Sequence, residues 1–242
     1  MLIKSVQNSK VKEYVKLMTQ KKERDLTSRF VVEGDHLVQE AYKEKLVVEV
    51  LIIEGRDCLI DVEPIYVSQD VMNKICDTKS PQGIIALCKQ KPQEIKAYNR
   101  ILLLEDINDP GNLGTILRSA DAFNFDGIIL SENTVDLYNP KVIRATQGAI
   151  FRVNVIRTNL IKKIEALKLS GMKVYTAHLA GIPLSRVDKE DKMAFVMGNE
   201  AKGISQTVFD TVEDRLTIEM TGSSESLNVS IAASIIMYQF RN

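Results

Sequence analysis

The sequence predicts an α/β protein in which strands and helices alternate along the chain. In residues 101–242, five short apolar runs have the length of buried parallel strands, and helical patterns separate most of them. Residues 1–95 show a weaker alternation of the same kind. With 242 residues, of which 45% are hydrophobic, the chain is long enough to bury one large core or two small ones.

The N-terminal part reads as a small α/β layer. The predicted helices cover about residues 8–21, 35–45 and 69–77, and the predicted strands cover residues 30–32, 48–53 and 83–87. A polar, proline-containing stretch at residues 89–100 indicates a linker. We therefore predict two domains, residues 1–95 and residues 96–242.

The C-terminal part carries the stronger pattern. Its predicted strands cover residues 101–104, 127–130, 173–177, 194–197 and 216–218, and its predicted helices cover residues 113–123, 140–148, 160–169 and 227–240. Open α/β sheets bind their ligands at the carboxyl ends of the strands. Polar, glycine-bearing segments that follow the strands are therefore the candidate sites.

Composition excludes several classes of protein. The three cysteines form no C-x-x-C pair, which argues against a structural zinc site or a disulfide scaffold. The two histidines lie far apart in sequence, so we expect neither a histidine-based metal site nor any other metal. No apolar run is long enough to cross a bilayer, and the first twelve residues lack the apolar segment of a secretory signal. We predict a cytoplasmic protein without membrane contact.

The formal net charge of zero hides an uneven distribution. Residues 1–30 carry eight Lys and Arg against three Asp and Glu, a net charge of +5, so the remaining residues carry −5. Apolar residues at helical spacing form a stripe on this segment: Val11, Tyr14, Val15 and Met18. Such a helix is often only a solvated lysine-rich surface, but beside the motifs below a phosphate-contacting arm is the better interpretation. The candidate phosphate-contacting residues are Lys12, Lys16, Lys21 and Lys22.

The first candidate segment, residues 105–118, runs from a strand through a Pro-Gly turn into a helix whose predicted N-cap is Asn112. Arg118 lies about two helical turns further on. Taken alone, the segment is either a capped helix with a surface arginine or a dinucleotide-binding turn. The second interpretation, a nicotinamide oxidoreductase, is weakened because the segment has G-x-x-G and lacks the full G-x-G-x-x-G pattern.

Two further segments follow strands. In residues 195–203 a buried strand ends at Gly198, where backbone can approach a ligand closely, and Glu200 follows at the rim. In residues 216–238 a strand leads through a Ser/Gly loop into a helix with Asn228 in its first turn. This segment has no G-x-S-x-G elbow and no nearby histidine, so a serine nucleophile is not expected.

Together these motifs resemble those of the SpoU (TrmH-type) RNA 2′-O-methyltransferases of the SPOUT superfamily. The matching stretches are residues 109–121, 197–205 and 218–233. The N-terminal part is similar to the family's substrate-binding domain, itself similar to kink-turn-binding ribosomal proteins, through residues 30–41 and 80–86.

The resemblance implies a C-terminal parallel-sheet domain with a deep trefoil knot, beside a small N-terminal α/β RNA-binding domain. It implies S-adenosylmethionine as cofactor, RNA as substrate and a homodimer, because family sites form at the subunit interface. The implied cofactor-binding residues are Gly198, Ile218, Met220 and Leu227. The implied catalytic residues are Arg118, Glu200 and Asn228, supported by Asn112 and Ser226.

Three alternatives stay open from sequence. The arginine either accepts the 2′-hydroxyl proton, as the family proposal has it, or clamps a phosphate and stabilises the developing alkoxide, because a guanidinium is almost never deprotonated in proteins. The substrate is expected to be ribosomal RNA rather than tRNA, on family analogy. A non-catalytic RNA-binding factor with the same fold is the competing function.

Overall fold

A computed structural model describes residues 2–241 and separates into two compact units. Among the described residues, one unit contains those up to Pro92 together with Asp136–Arg152, and the other contains Gln93–Val135 and the residues from Val153 onward. Packing thus groups a short stretch from the middle of the chain with the N-terminal unit. The domain boundary near residue 95 stays a prediction.

The helices and strands alternate along the chain. The helices are α1 (Ser9–Thr19), α2 (Lys21–Thr27), α3 (Asp35–Lys43), α4 (Gln69–Ile75), α5 (Pro110–Ala122), α6 (Pro140–Thr146), α7 (Leu160–Leu169), α8 (Gln206–Thr211) and α9 (Val229–Phe240). The strands are β1 (Leu2–Ile3), β2 (Arg29–Glu33), β3 (Val47–Ile53), β4 (Ile65–Val67), β5 (Ile84–Lys89), β6 (Arg100–Leu104), β7 (Gly127–Leu130), β8 (Val155–Arg157), β9 (Lys173–Pro183), β10 (Met193–Met197) and β11 (Asp214–Thr217). The sequence pattern missed α2, α8, β1, β4 and β8, because two to seven residues give too little periodicity to detect.

The N-terminal unit contains a mixed sheet in the order β1-β4-β3-β5-β2, in which β5 runs antiparallel to both of its neighbours. α1 and α4 pack together, and their apolar residues share one buried cluster with the sheet. Tyr14, in that cluster, donates a hydrogen bond to Glu49 at 3.0 Å, and burial raises the pKa of its phenol. α6 packs against β2, where the ring of Phe30 lies 4.6 Å from that of Tyr138.

The predicted basic helix of residues 8–21 is wrong in extent. α1 ends at Thr19 because the backbone of Gln20 is extended, with φ −122° and ψ 113°, so Lys21 and Lys22 lie on α2 instead. One of the eight N-terminal cations is also not a surface charge. Arg24 is only 4% exposed and forms an ion pair with Asp136 at 2.6 Å.

The C-terminal unit is built on a parallel sheet in the order β11-β9-β10-β6-β7-β8. α7 and α8 pack together and share a buried cluster with residues from β6, β7, β9 and β10. Phe195 of β10 stacks on Phe240 of α9, with ring centroids 4.8 Å apart. β6, β7 and β10 are buried along their whole length and consist almost entirely of apolar residues, which is why the sequence predicted them correctly. The α/β fold class with a parallel-sheet domain is confirmed, whereas the trefoil knot stays a prediction.

The pairing between β9 and β11 is interrupted midway along β11. β9 pairs with β11 through Thr176 opposite Arg215, and pairing then resumes with Ile182 opposite Leu216. Residues 177–181 are thus left without a partner in β11. Over residues 2–241, no helix combines the length and the apolar character needed to cross a bilayer.

Candidate active site

Three loops leave the carboxyl ends of strands at one edge of the parallel sheet. The first loop (residues 105–109) follows β6, the second loop (residues 198–205) follows β10, and the third loop (residues 218–228) follows β11. β6 and β10 are neighbours at the point where the strand order reverses, which is where open α/β sheets bind ligands. Residues of the second and third loops, together with Asn112 at the start of α5, line a cavity of about 780 Å³. Predicted site residues in its wall are Asn112, Gly198, Glu200, Ile218, Met220, Ser226, Leu227 and Asn228.

Glu200 connects the second loop to the first. Its carboxylate accepts hydrogen bonds from the backbone N–H groups of Asn108 at 3.2 Å and Asp109 at 3.0 Å, and from the side-chain amide of Asn112 at 3.2 Å. Burial works to raise the pKa of this carboxyl, but the hydrogen bonds from Asp109, Asn112 and Asn108 hold the pKa below its ordinary value. The group is therefore a carboxylate at neutral pH. In this arrangement its oxygens are already hydrogen-bonded to the backbone and side chain at the start of α5.

The start of α5 corrects one prediction. Asp109, not Asn112, is the N-cap, and its carboxylate accepts the backbone N–H of Asn112 at 2.8 Å. The helix begins earlier than predicted because Pro110 is favourable in the first helical turn. Asn112 is thereby free to use its side chain in the site. Its amide donates to Glu200, and its carbonyl accepts from the amide of Asn228 at 3.0 Å.

Asn228 has a second task as the N-cap of α9. Its Oδ1 accepts the backbone N–H of Ser230 at 2.8 Å and the hydroxyl of Ser230 at 2.6 Å. Glu200, Asn112 and Asn228 thus form one hydrogen-bonded chain that joins all three loops. The predicted catalytic pair Glu200 and Asn228, with the supporting Asn112, is brought together at the cavity wall. Ser226 also lines the cavity.

Two further contacts fasten the first loop to the second. Glu105 accepts hydrogen bonds from the backbone N–H of Ser205 at 2.9 Å and from its hydroxyl at 2.5 Å. Asn199 donates its amide to the carbonyl of Asp106 at 2.7 Å, where the backbone of Asp106 has a positive φ of 51°. Glu105, Asn199 and Ser205 were not predicted from the sequence. Their only signal is their position within or next to the segments that carry the motifs.

Gly198 satisfies the prediction of close backbone approach. A Cβ atom at this position would lie 2.5 Å from the carbonyl oxygen of Gly203. Glycine is therefore required for the second loop to fold back on itself, and the loop is closed by a pair of backbone hydrogen bonds between Asn199 and Gly203, each 2.9 Å long. Gly198, Asn199 and Gly203 of this folded-back loop line the cavity.

Arg118 is the one predicted catalytic residue that lies apart from the others. It is exposed on α5 and is not among the residues that line the cavity. Within residues 2–241 its guanidinium makes neither a hydrogen bond nor an ion pair. The neighbouring Ser119 bonds Ser234 of α9 at 2.7 Å, so Arg118 lies beside the α5–α9 contact.

The cavity wall also contains residues that the sequence analysis did not single out. His178 and Leu179 come from the unpaired segment of β9, and Phe209 comes from α8. The ring of His178 meets that of Phe209 edge-on at 5.2 Å, and the guanidinium of Arg215 lies 3.8 Å from the centre of the same Phe209 ring. An interrupted strand pairing leaves no periodic pattern in the sequence, so these cavity residues could not be predicted from it. In the described part of the chain, no cluster of His, Cys, Asp and Glu is arranged to hold a metal ion.

Comparisons with known proteins agree with this geometry. Residues 99–238 match the SpoU rRNA Methylase family, and residues 8–86 match the MRM3-like substrate binding domain. A Bacillus subtilis protein named 23S rRNA (guanosine(2553)-2′-O)-methyltransferase RlmP is 36% identical over 245 residues, covering 99% of this chain and 98% of that protein.

Solved structures agree as well. A putative RNA methyltransferase of the TrmH family from Porphyromonas gingivalis has a TM-score of 0.87 at 29% identity, covering 98% of this chain and 99% of that one. An AdoMet-bound rRNA methyltransferase from Sinorhizobium meliloti also has a TM-score of 0.87, at 28% identity, covering 99% of this chain and 96% of that one. The resemblance seen in the three sequence motifs is confirmed, and the chain belongs to the SpoU rRNA Methylase family.

Proposed function

We propose that this protein transfers a methyl group from S-adenosylmethionine to a ribose 2′-hydroxyl of 23S ribosomal RNA. The observation that carries the proposal is the cavity at the carboxyl edge of the parallel sheet, walled by all three family motifs. The full-length similarity to the Bacillus subtilis 23S rRNA enzyme supports the substrate, and the bound cofactor of the Sinorhizobium meliloti structure supports the cofactor.

The cavity fits an adenosine-containing cofactor. Gly198 exposes main chain where a side chain would collide with the second loop, and Ile218, Met220 and Leu227 supply apolar wall. When bound, S-adenosylmethionine supplies an activated methyl group on a sulfonium. The protein's own work is then to align the ribose oxygen and manage one proton. Asn112, Glu200 and Asn228 keep the three loops in register for that alignment.

We assign Arg118 to the active site of a second copy of the chain. The cavity wall of one chain contains no arginine, whereas Arg118 is exposed beside the α5–α9 contact with no partner in the described residues. Ile231 and Tyr238 of α9 are 52% and 55% exposed, which provides apolar area for a homodimer. In the partner's site Arg118 would hold an RNA phosphate and stabilise the developing alkoxide.

Subunit mixing tests this assignment. Arg118→Ala and Asn228→Ala dimers are each expected to be inactive. If Arg118 acts on the partner's site, an equilibrated mixture contains heterodimers with one intact site and regains about a quarter of the wild-type activity. If Arg118 acts within its own chain, both sites of every heterodimer are damaged and mixing restores nothing.

The basic residues at the start of the chain are the proposed RNA contacts. Lys12, Lys16, Lys21 and Lys22 are exposed on α1 and α2. Lys21 also forms an ion pair with Asp25 at 2.5 Å, so we expect three full phosphate contacts rather than four. Replacing all four lysines by glutamine should make the negative slope of log K against log salt shallower by about 2 to 3. An unchanged slope would refute this RNA-binding assignment.

The decisive experiment is methylation of unmodified 23S rRNA with radiolabelled S-adenosylmethionine, followed by mapping of the alkali-resistant linkage. The expected result is one 2′-O-methylated nucleotide in 23S rRNA and none in tRNA. RNA binding with no methyl transfer and no cofactor binding would instead support the non-catalytic factor. The cytoplasmic location stays a prediction.

A further inference from the structure

The cavity contains one cation whose purpose the motif roles leave unassigned. Of the described residues in its wall, Lys202 is the only lysine or arginine. Lys202 belongs to the second loop, two residues beyond Glu200, and its side chain is exposed. In residues 2–241 its ammonium group makes no hydrogen bond and no ion pair.

The backbone of Lys202, in contrast to its side chain, is firmly fixed. Asn199 Oδ1 accepts the N–H of Lys202 at 3.0 Å and the N–H of Ala201 at 2.9 Å. The next residue, Gly203, exchanges two backbone hydrogen bonds with Asn199. The loop therefore presents the lysine stem from a rigid base, which limits the entropy lost when its ammonium binds a ligand.

The nearest acidic residue of the wall is not available as a partner. Glu200 already accepts hydrogen bonds from Asn108, Asp109 and Asn112, and those bonds hold its pKa low without a lysine. The ammonium group of Lys202 lines this cavity, and the one carboxylate in the described wall is already hydrogen-bonded to other groups. It is therefore a site for an anionic group of the ligand.

We propose that the Lys202 ammonium binds the α-carboxylate of the methionine part of S-adenosylmethionine. The proposal rests on the proposed function, since the cofactor must occupy this cavity. The carboxylate is the only anionic group of that cofactor, and it is carried on a chain long enough to leave the adenosine pocket. Lys202 then fixes the amino-acid end of the cofactor, while Gly198 and its neighbours contact the adenosine.

Calorimetry with two cofactor forms tests the assignment. Wild type and Lys202→Met are titrated with S-adenosylmethionine and with its decarboxylated analogue, which keeps the sulfonium and the amine. We expect Lys202→Met to weaken binding of the intact cofactor about fivefold, as for a partly exposed ion pair, and to leave binding of the analogue unchanged. Lys202→Arg should retain most of the affinity. Lys162→Met, an exposed lysine of α7 outside the cavity, is the matched control.

Several outcomes would overturn the assignment. Equal weakening for both cofactor forms would mean that Lys202 only supports the loop. Unchanged cofactor affinity with a raised KM for RNA would mean that the lysine contacts a substrate phosphate instead. If wild type bound neither form, the proposed function itself would fall, whereas intact wild-type binding with no effect of Lys202→Met would remove this inference alone.

Discussion

The first and second loops differ sharply from the third in how they are held. Glu105, Asn199 and Glu200 tie the first loop to the second through both backbone and side chain. In the third loop, no side chain of residues 220–227 makes a hydrogen bond within the described part of the chain. Only Asn228, at its end, connects it to the others.

This difference separates two roles in one site. The first and second loops, here called the locked pair, present their backbone and Glu200 in a fixed geometry before any ligand binds. Little conformational entropy is therefore lost in these loops on binding. The third loop supplies apolar wall through Ile218, Met220 and Leu227 but has few contacts of its own. We infer that the pair is a preformed scaffold and that the third loop acquires its contacts from the cofactor.

The most severe way to break the scaffold is Gly198→Ala. The added methyl group meets the backbone of Gly203, which cannot move aside as a flexible side chain would. We expect a loss of about 3 kcal/mol in the free energy of unfolding, the upper end for overpacking, and no measurable binding of S-adenosylmethionine. Chemical denaturation and calorimetry provide the two measurements.

The matched control for this substitution is Gly222→Ala in the third loop. A Cβ atom at Gly222 would meet nothing within 4 Å. Its stability should therefore change by less than about 0.5 kcal/mol. Equal effects of the two substitutions would contradict the distinction between the locked pair and the third loop.

Hydrogen exchange tests the same distinction without changing the sequence. Amides of the third loop should exchange rapidly in the free protein and slow by up to about 100-fold when S-adenosylmethionine is present at 100 times its Kd. The hydrogen-bonded amides of Asn199, Gly203 and Ser205 should be protected in both states. Slow exchange of the third loop in the free protein would contradict its assignment as the adaptable element.

How much of this could be predicted from sequence differs between strands and loops. The buried strands of the C-terminal unit were predictable because nearly every residue in them is apolar. The motif residues Gly198, Glu200 and Asn228 were found as well, because they lie in polar, glycine-bearing segments that follow strands and match the family motifs. The hydrogen bonds that connect Glu200 and Asn228 through Asn112 could not be predicted, because they join residues 88 and 116 positions apart and leave no local sequence pattern.

Three features escaped prediction for physical reasons. The cap of α5 was assigned to Asn112 rather than Asp109, because both residue types cap helices and the sequence does not fix where the helix begins. His178 reaches the cavity only because β9 loses its pairing with β11 for five residues. The position of Arg118 outside the cavity also depends on how helices pack, which is a tertiary property.

A smaller loss is expected from Glu200→Gln. The amide that replaces the carboxylate loses the charge-assisted hydrogen bonds from Asn108 and Asp109 and brings a donor close to their N–H groups. We expect a loss of about 1–2 kcal/mol in the free energy of unfolding, from denaturant titration at pH 7. Glu225→Gln is the matched control, because Glu225 is exposed in the third loop and makes no hydrogen bond or ion pair in the described residues. A loss as large for Glu225→Gln would show that charge alone, not the loop contact, is responsible.

The smallest and most specific effect is the pH dependence of the unfolding free energy lost in Glu200→Gln. Burial tends to raise the pKa of Glu200, but the hydrogen bonds to the first loop and Asn112 hold it below the ordinary value of 4.5 in the folded protein. The unfolded chain therefore takes up this proton first, so the stability that the carboxylate contributes is present above pH 4.5 and is lost as the pH falls through the lower folded pKa. The difference in unfolding free energy between wild type and Glu200→Gln should stay constant from pH 7 to about pH 5 and shrink below it. The difference between wild type and Glu225→Gln should show no such decrease. If the Glu200→Gln difference grew as the pH fell, the pKa of Glu200 would be raised rather than lowered, and its role in holding the two loops together would be wrong.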